Sequence, residues 1–310
     1  MSLDLLCIGE PMMEYNEQPA NAEGDRFYLE GFGGDTSNAA VAAARQGARV
    51  GYLTALGRDD AGDRFLALWR EEGVECGHVL RSETRGTAVY FVRHAAEGHS
   101  FQYFRAGSAA SALAPADVPE PLVSGARMLY ASGISQAISD SAADAVFHAI
   151  TLARHRGVQI AYDTNYRPRL WPPARAAAVI HAAMAQTDIA LPGMEDATAL
   201  TGLTDPDAVA DFYLRLGPKL VVLKQGAAGA LLATPEGRVR IPPFPCTPVD
   251  ATGAGDTFCG SFLARILAGD APLQAARYAA VAAALQTQGF GAVAPIPRPE
   301  AVRAALAGWN

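Results

Sequence analysis

The chain has 310 residues and a formal net charge of −7; half of its residues are hydrophobic and 18% are charged. A chain of this length and hydrophobicity buries one large core, with or without a small appendage, so global disorder is excluded. The acidic balance, without any run of basic residues, disfavours nonspecific binding to nucleic acid or to an anionic membrane. We therefore expect a globular protein whose anionic ligands meet locally placed cations.

Cysteine usage and the first residues bear on where the protein works. The four cysteines are scattered, with no CxxC pair and no histidine at zinc-ligand spacing, which predicts free thiols in a reducing compartment and no structural metal. The first residues lack a cationic signal region, and no uncharged apolar stretch approaches about 18 residues. We expect a cytoplasmic protein without a membrane partner.

Two kinds of pattern alternate along the chain. Apolar runs typical of strands alternate with amphipathic patterns typical of helices, which predicts an α/β fold with a mostly parallel sheet between two helical layers. The predicted strands cover residues 5–8, 49–55, 128–131, 158–162, 189–191 and 220–223, and the helices include residues 37–46, 140–156 and 174–185.

Two segments, residues 14–32 and 87–105, break this rhythm. In the second, two alternating runs flank a turn at residues 95–98, which indicates antiparallel ribbons outside the main sheet. We expect a small β-sheet lid, formed by about residues 10–33 and 86–107 of a single 1–310 domain. Such a lid would lie over the carboxyl ends of the parallel strands, the usual ligand position in open sheets.

The stretch from residue 249 to residue 257 joins glycines, a helix start and a carboxylate within one turn. Gly253 and Gly255 leave their N–H groups open to an anion, with Thr252 as the predicted cap of a helix through residues 258–267. A carboxylate adds nothing to phosphate binding, so Asp256 is interpreted as a base that accepts a proton from an attacking hydroxyl. The alternative is that Asp250 or Asp256 only caps the helix.

Two nucleotide-binding classes are excluded or disfavoured. The dipeptide Gly-Lys does not occur, which excludes a Walker A loop. Residues 31–36 begin like a dinucleotide fingerprint, but Thr36 stands where the third glycine belongs, and the segment does not follow the first strand. A Rossmann dehydrogenase is therefore disfavoured.

Four glycine motifs, at residues 33–40, 57–62, 224–229 and 250–256, share an order and spacing that resembles the ribokinase-like sugar kinase family. The resemblance covers nearly the whole chain and implies an α/β core with a small β lid. It also implies ATP with Mg²⁺ as cofactors, leaves a monovalent cation open, and predicts phosphorylation of a sugar hydroxyl. In that reaction Asp256 would be the base, and Gly253, Ala254 and Gly255 would form the anion hole.

The early glycine motif is interpreted as the sugar side of the site. Gly33 and Gly34 allow close approach of a polyhydroxy ligand, while Asp35 and Asn38 can hydrogen-bond its hydroxyls. Residues 35–37 could instead only cap a helix that begins near Asn38. The resemblance adds Ile134 to the sugar-binding set.

The nucleotide side draws on three later segments. Lys224, Gly226 and Gly229 could lay backbone against phosphates, although such a segment is also an ordinary turn. The resemblance implies Asn165 and Arg167 beside them. Glu195 matches the acidic half of a family motif linked to Mg²⁺, and Pro192 replaces its usual asparagine.

The choice of sugar is expected to depend on two arginines. Arg105 and Arg167 could converge on one carboxylate, since a guanidinium binds a carboxylate bidentately. With Tyr90 and Tyr103, they resemble the pattern of 2-keto-3-deoxygluconate kinases. Alternatively, Arg105 is an exposed strand residue, Arg167 pairs with Asp163 or serves ATP, and the tyrosines are ordinary packing.

The resulting hypothesis is transfer of phosphate from ATP to the 6-hydroxyl of 2-keto-3-deoxygluconate, with Asp256 as base. Asp256 needs no raised pKa for this role. A kinase for fructose, ribose or a related keto-sugar, a nucleoside kinase and a non-catalytic sugar sensor remain as alternatives. Exposed lid strands favour a homo-oligomer.

Overall fold

The computed structural model describes residues 2–95 and 98–309. The strands are β1 Leu3–Ile8, β2 Met12–Gln18, β3 Phe27–Gly33, β4 Val50–Leu53, β5 Ala55–Gly57, β6 Leu80–Ser82, β7 Ala88–Ala95, β8 Gly98–Phe104, β9 Ala126–Ser132, β10 Gln159–Asp163, β11 Ile189–Ala190, β12 Leu220–Lys224, β13 Ala230–Thr234 and β14 Gly237–Ile241. The α-helices are α1 Asp35–Arg45, α2 Asp60–Glu71, α3 Glu120–Ser124, α4 Gly133–Ala137, α5 Asp140–Arg156, α6 Pro173–Met184, α7 Met194–Thr201, α8 Pro206–Leu216, α9 Ala254–Leu267, α10 Pro272–Gln286 and α11 Pro299–Ala307.

Within these residues, the main sheet has eight strands in the order β14-β13-β12-β11-β10-β9-β1-β4. The strands from β4 to β12 along this order pair in parallel, which confirms the predicted mostly parallel sheet. The antiparallel extension by β13 and β14 was not predicted.

Both faces of the main sheet are covered by helices. Alternate residues of β1 enter opposite cores, with Leu5 and Cys7 on one face and Leu6 and Ile8 on the other. Helices α1, α9 and α10 contribute to the first core, and α5, α6 and α8 to the second. Because strand side chains alternate between faces, this arrangement produces the predicted three layers.

Helix α5 illustrates how local signals define an element. Ser139 caps it by accepting a 2.9 Å hydrogen bond from the Ala142 N–H, and Gly157 ends it in the left-handed region at φ 69°. Serine at the N-cap and glycine at the C-terminal end are the preferred residues at those positions. The predicted helix over residues 140–156 is confirmed.

A small sheet of four strands, in the order β3-β2-β7-β8, lies outside the main sheet in the described part of the chain. The β2–β3 and β7–β8 pairs are antiparallel as predicted, but β2 and β7 pair in parallel. Parallel pairing requires a long crossover, which the chain between β3 and β7 supplies. Residues 96 and 97 of the predicted turn lie outside the described residues.

Asp59 ties the small sheet to the core. Its carboxylate accepts a 2.8 Å hydrogen bond from the Gly62 N–H, which caps α2, and a 2.7 Å bond from the Thr87 N–H at the start of β7. One side chain therefore fixes both a helix start and the entry into the small sheet.

Helices α1 and α9 lie in unusually close contact. A Cβ atom at Gly260 would come within 2.2 Å of the Ala39 carbonyl oxygen, so the α9 backbone can approach α1 only because residue 260 is glycine. Through this contact the first turns of the two helices lie side by side.

None of the helices formed by residues 2–95 and 98–309 is both long and apolar enough to span a bilayer.

Candidate active site

The first turn of α9 forms a bed of backbone donors without a side-chain cap, of which the Ala254 N–H already donates a 3.2 Å bond to the Ala251 carbonyl oxygen. Gly253 precedes the helix in the left-handed region at φ 81°, and no side chain caps the helix. The prediction that Thr252 caps α9 is therefore wrong. Gly255 is exposed, and the nearest heavy atom to a Cβ placed there is Lys224 Nζ at 3.8 Å. Uncapped N–H groups at the start of a 14-residue helix can bind an anion.

Asp250 shapes the loop that leads into this bed. Its two carboxylate oxygens accept 2.9 Å hydrogen bonds from the N–H groups of Thr252 and Gly291. Gln286 Nε2 donates a 2.6 Å bond to the Thr252 carbonyl oxygen. Asp250 is thus a structural residue of the loop.

Asp256 does not cap α9. Its Oδ2 atom accepts a 2.8 Å hydrogen bond from Asn38 Nδ2 of α1. Burial and repulsion from Asp35 raise the pKa of Asp256 to about 7, against the opposing effect of the Asn38 hydrogen bond. A carboxyl with this pKa is matched to accept a proton near neutral pH, although the sequence argument did not require it.

Asp35 lies at the start of α1 with its carboxylate buried, accepting hydrogen bonds from Ser132 and, at 2.8 Å, from Asn165 Nδ2. It is inside the helix and makes no capping bond, so the capping alternative is wrong. Burial raises its pKa, while the Ser132 hydrogen bond opposes the shift. Asn38 Oδ1 is buried without a hydrogen-bond partner among the described residues, and Ile134 is buried in α4.

The two early glycines are first of all required by the fold. A Cβ at Gly33 would lie 2.5 Å from the Tyr90 hydroxyl oxygen. Gly34 has φ 99°, and a Cβ there would lie 2.3 Å from the Glu10 carbonyl oxygen. Both positions therefore need glycine before any ligand is considered.

The face of the small sheet that carries Tyr90 also carries a carboxylate, Glu14, that the sequence analysis missed. Tyr90 donates a hydrogen bond to Glu14, and both side chains are buried. Tyr103 lies opposite Tyr90 in the β7–β8 register, with ring centroids 5.7 Å apart, and is partly exposed. The alternation of Met12, Glu14 and Asn16 on one face of β2 was the available signal.

Arg105 is not an exposed strand residue. Its side chain is 11% exposed and pairs with the fully buried carboxylate of Glu10. Ser108 Oγ donates a 2.6 Å hydrogen bond to the same carboxylate, and burial raises the Glu10 pKa while Arg105 opposes the shift. A cavity of about 320 Å³ lies beside Tyr103, Arg105 and Ser108, a size that suits a small ligand.

Arg167 is exposed, and its Nη1 atom donates a 3.1 Å hydrogen bond to the carbonyl oxygen of the adjacent Tyr166. Its positive charge lowers the pKa values of Asp35 and Asp196, although burial holds both above the usual value. Glu195 is exposed in the first turn of α7, whereas the next residue, Asp196, faces the site and accepts a 3.2 Å bond from Thr164 Oγ1. Asp196 was not among the predicted site residues.

Lys224, at the end of β12, pairs with the buried carboxylate of Asp163. Asp163 therefore forms its ion pair with Lys224, and the alternative in which it pairs with Arg167 is wrong. The Lys224 backbone N–H also donates a 2.8 Å bond to the carbonyl oxygen of the buried Pro192. The turn that follows contains Gly226 and Gly229 at φ 56° and 87°, conformations that favour glycine.

The site thus combines the backbone donors of α9 with Asp256 and several other carboxylates at one end of the sheet. No group of three or more metal-binding side chains occurs among residues 2–95 and 98–309. A larger groove of about 470 Å³, lined by residues such as Asp211 and Arg238, contains none of the site residues. The end of the sheet that carries Asp256 is therefore the candidate active site.

Comparisons with known proteins identify the family of the chain. Residues 2–299 match the pfkB family of carbohydrate kinases. The chain is 33% identical over 303 residues to the 2-dehydro-3-deoxygluconokinase of Thermoproteus tenax, covering 96% of this chain and 92% of the relative. It is 32% identical over 309 residues to that of Bacillus subtilis (strain 168), covering 97% and 94%.

A solved structure, the PfkB protein from Polaromonas sp. JS666, superposes with a TM-score of 0.87 at 34% identity, covering 98% of this chain and 100% of that one. The match to the family spans nearly the whole chain, and kinases of this family bind ATP. The chain belongs to the pfkB family of carbohydrate kinases.

Proposed function

We propose that the protein transfers the terminal phosphate of ATP to the 6-hydroxyl of 2-keto-3-deoxygluconate, also called 2-dehydro-3-deoxygluconate. The observation that carries the proposal is the hydrogen bond between Asn38 and Asp256, which joins the sugar side to the open first turn of α9. Relatives named for this activity support the choice of substrate.

The triphosphate is proposed to lie along the N–H groups of Gly253, Ala254 and Gly255. The turn with Gly226 and Gly229 would border it on the β12 side. Val249 and Phe290 are 52% and 63% exposed, and the Val249 N–H bonds the carbonyl oxygen of Thr287 at 2.7 Å. These apolar side chains beside the bed suit the flat face of a nucleotide base.

The residues present fit Mg²⁺ bound together with ATP. Asp196, with Asn165 nearby in the loop after β10, offers the oxygen ligands that Mg²⁺ prefers, and this ion needs only one or two carboxylates besides phosphate oxygens and water. Repulsion from Asp163 contributes to the raised pKa of Asp196, and a divalent cation would relieve it. When bound, Mg²⁺ would neutralise phosphate charge.

The substrate carboxylate is proposed to bind mainly to Arg167. This guanidinium has no ion-pair partner within residues 2–95 and 98–309, so its fork is open to a carboxylate. Arg105 already shares its charge with Glu10 and would orient the acid rather than neutralise it. Gly33, Gly34, Asp35, Asn38, Tyr90, Tyr103 and Ile134 complete the proposed sugar pocket, with the small sheet as its lid.

In the proposed step, the 6-hydroxyl oxygen forms a bond to the terminal phosphorus of ATP. The bond from that phosphorus to the oxygen of ADP breaks, and the hydroxyl proton passes to Asp256. The backbone N–H groups at the start of α9 would stabilise the negative charge on the phosphate oxygens during the transfer. The products are the sugar acid 6-phosphate, ADP and one proton.

The test is a panel of sugars assayed for ADP release in the presence of ATP and Mg²⁺, with the phosphorylated carbon located by NMR. The panel contains 2-keto-3-deoxygluconate, its galactonate epimer, fructose and ribose. We expect the highest kcat/KM for a keto-deoxy acid and phosphate at carbon 6. A higher kcat/KM for a neutral sugar would reject the proposed substrate, and no ADP release with any sugar would favour the sensor alternative.

The proposed role of Arg167 has its own test. Arg167→Ala should lower kcat/KM for the acid on the order of 10²-fold, since a charge-assisted hydrogen bond contributes about 1.5–3 kcal/mol, and should affect a neutral ketose far less. Arg175→Ala is the matched control, because Arg175 is exposed and pairs with Asp140 elsewhere on the surface. Equal losses on both sugars would assign Arg167 to ATP instead.

We also propose self-association through the small sheet. Phe27 and Leu29 of its edge strand β3 are 48% and 53% exposed, and exposed apolar edge strands favour pairing between chains. Light scattering of the protein and of a Phe27→Ser/Leu29→Ser variant would test this: a monomeric parent protein contradicts it.

A further inference from the structure

The cation of Lys224 is held inside the protein, below the anion bed. Its ammonium bonds the buried Asp163 carboxylate and lies 3.2 Å from the Cys259 sulfur. Cys259 also donates a 3.3 Å hydrogen bond to Asp163 Oδ2. Although burial opposes it, the Asp163 charge raises the pKa of Lys224, so the ammonium stays charged across the working pH range.

The ammonium lies beside the first turn of α9, which contains both the anion bed and Asp256. Lys224 Nζ is 3.8 Å from where a Cβ of Gly255 would lie, and Gly255 directly precedes Asp256. A cation already bonded to Asp163 and Cys259 has fewer free donors for a phosphate. Its charge nevertheless acts on Asp256 through the first turn of α9.

The charged and titratable groups around Asp256 are mostly acidic. Asp35 and Asp163 raise the Asp256 pKa, and Asn38 and Lys224 lower it. Tyr90, Tyr130 and Cys259 also interact electrostatically with the Asp256 carboxylate. Among these groups, Lys224 is the cation that offsets the carboxylates.

We propose that Lys224 is a positioning residue that keeps Asp256 in its proton-accepting form, and that Asp163 and Cys259 hold its ammonium in place for this purpose. Lys224 does not touch the reacting atoms. The inference rests on the proposed function only in taking Asp256 as the base.

The experiment measures the pH dependence of kcat/KM for Lys224→Met with the best sugar of the panel. Activity requires ionised Asp256, so loss of the cation should move the acid limb to higher pH by about one unit, with about a tenfold loss on that limb. At pH values above the limb, the loss should be much smaller. Lys224→Arg keeps the charge and should leave the limb close to that of the parent protein.

A variant that removes both charges of the ion pair controls for a folding defect of Lys224→Met. Lys224→Met alone leaves Asp163 buried without its cation, which is strongly destabilising. Asp163→Asn/Lys224→Met removes both charges and is compared with Asp163→Asn, which removes only the acid. Because Asp163 raises the Asp256 pKa at least as strongly as Lys224 lowers it, the acid limb of the double variant should lie at or slightly below the pH of the parent limb, and at higher pH than the limb of Asp163→Asn. If Lys224→Met does not fold, this comparison decides the question, and coinciding limbs of the two variants would overturn the proposal.

Two further outcomes overturn the proposal. An unmoved limb with a raised KM for ATP would make Lys224 a phosphate ligand, and an unmoved limb with only lower thermal stability would make it structural. A ¹³C NMR titration of the Asp256 carboxyl carbon, assigned with Asp256→Asn, needs no turnover. It therefore reads the effect of Lys224 even if no sugar of the panel is phosphorylated, which separates failure of this inference from failure of the proposed function.

Discussion

Helices α1 and α9 start in the same way but present different polar groups to the candidate active site. Each is preceded by a glycine with positive φ, Gly34 and Gly253, and neither has a side-chain cap. In α1 the first-turn side chains are buried and polar, with Asp35 and Asn38 among them. In α9 the first turn contains the exposed Gly255, which leaves backbone donors uncovered.

The same kind of helix start thus presents two different kinds of polar group. Where side chains fill the first turn, their oxygens and amide groups can bind hydroxyls with defined geometry. Where side chains are absent, the helix start can bind a charged group of variable shape. The two starts meet in the bond from Asn38 to Asp256, so each can be perturbed separately.

The largest expected effect comes from removing the proposed base at the α9 start. Asp256→Asn keeps the size of the side chain and its bond to Asn38 but cannot accept the proton, so kcat should fall on the order of 10³-fold. KM values for both substrates should change little. Steady-state kinetics measure this, and near-normal turnover would exclude Asp256 as the base.

Alanine substitutions at Gly255 of α9 and at Gly34, which precedes α1, should sharpen the contrast between the two helices. Gly255→Ala should lower kcat/KM for ATP on the order of 10²-fold by covering a donor, while raising the free energy of unfolding by up to about 1 kcal/mol through helix propensity. Gly34→Ala should instead cost about 1–3 kcal/mol of stability, since its Cβ would meet the Glu10 carbonyl oxygen at 2.3 Å. Urea unfolding and kinetics check both, and similar stability losses in the two variants would contradict the contrast.

The hydrogen bond from Asn38 to Asp256 should affect the pH dependence of kcat. With the Asp256 pKa at about 7, kcat of the parent protein should rise with pH through this region as the carboxyl ionises. Asn38→Ala removes a hydrogen bond that favours the ionised form, so the limb should move to higher pH by about one unit, with about tenfold lower kcat on it. A limb that moves to lower pH would refute the role given to Asn38.

The smallest effect is expected at the border of the anion bed, in α7. Asp196→Asn should raise the Mg²⁺ concentration for half-maximal activity about fivefold, as expected for loss of about 1 kcal/mol from a partly screened charge. Glu195→Gln is the matched control, because Glu195 is exposed. A larger effect of Glu195→Gln would restore the original assignment of that residue.

The sequence predicted the elements that depend on local signals. The bounds of α5 follow from Ser139 and Gly157, and the parallel core strands follow from apolar runs separated by helices. The parallel pairing of β2 with β7 could not be predicted, because it depends on where the chain returns after a long crossover.

The glycine motifs indicated the position of the candidate site, whereas the contacts that join distant segments there could not be predicted. The carboxylates of Glu10 and Asp163 take up the charges of Arg105 and Lys224, and no spacing in the sequence indicates such pairs. For Asp196, the choice between neighbouring acidic residues needed the orientation of α7, which only tertiary packing supplies.

The close contact at Gly260 has a consequence for motion during turnover. Since the α1 and α9 backbones are in contact there, the two helices should move as one rigid body. The distance between the side chains of the first turn of α1 and Asp256 is then fixed before any ligand binds. If the small sheet acts as the proposed lid, it would then control entry to the site without changing the distance between Asn38 and Asp256.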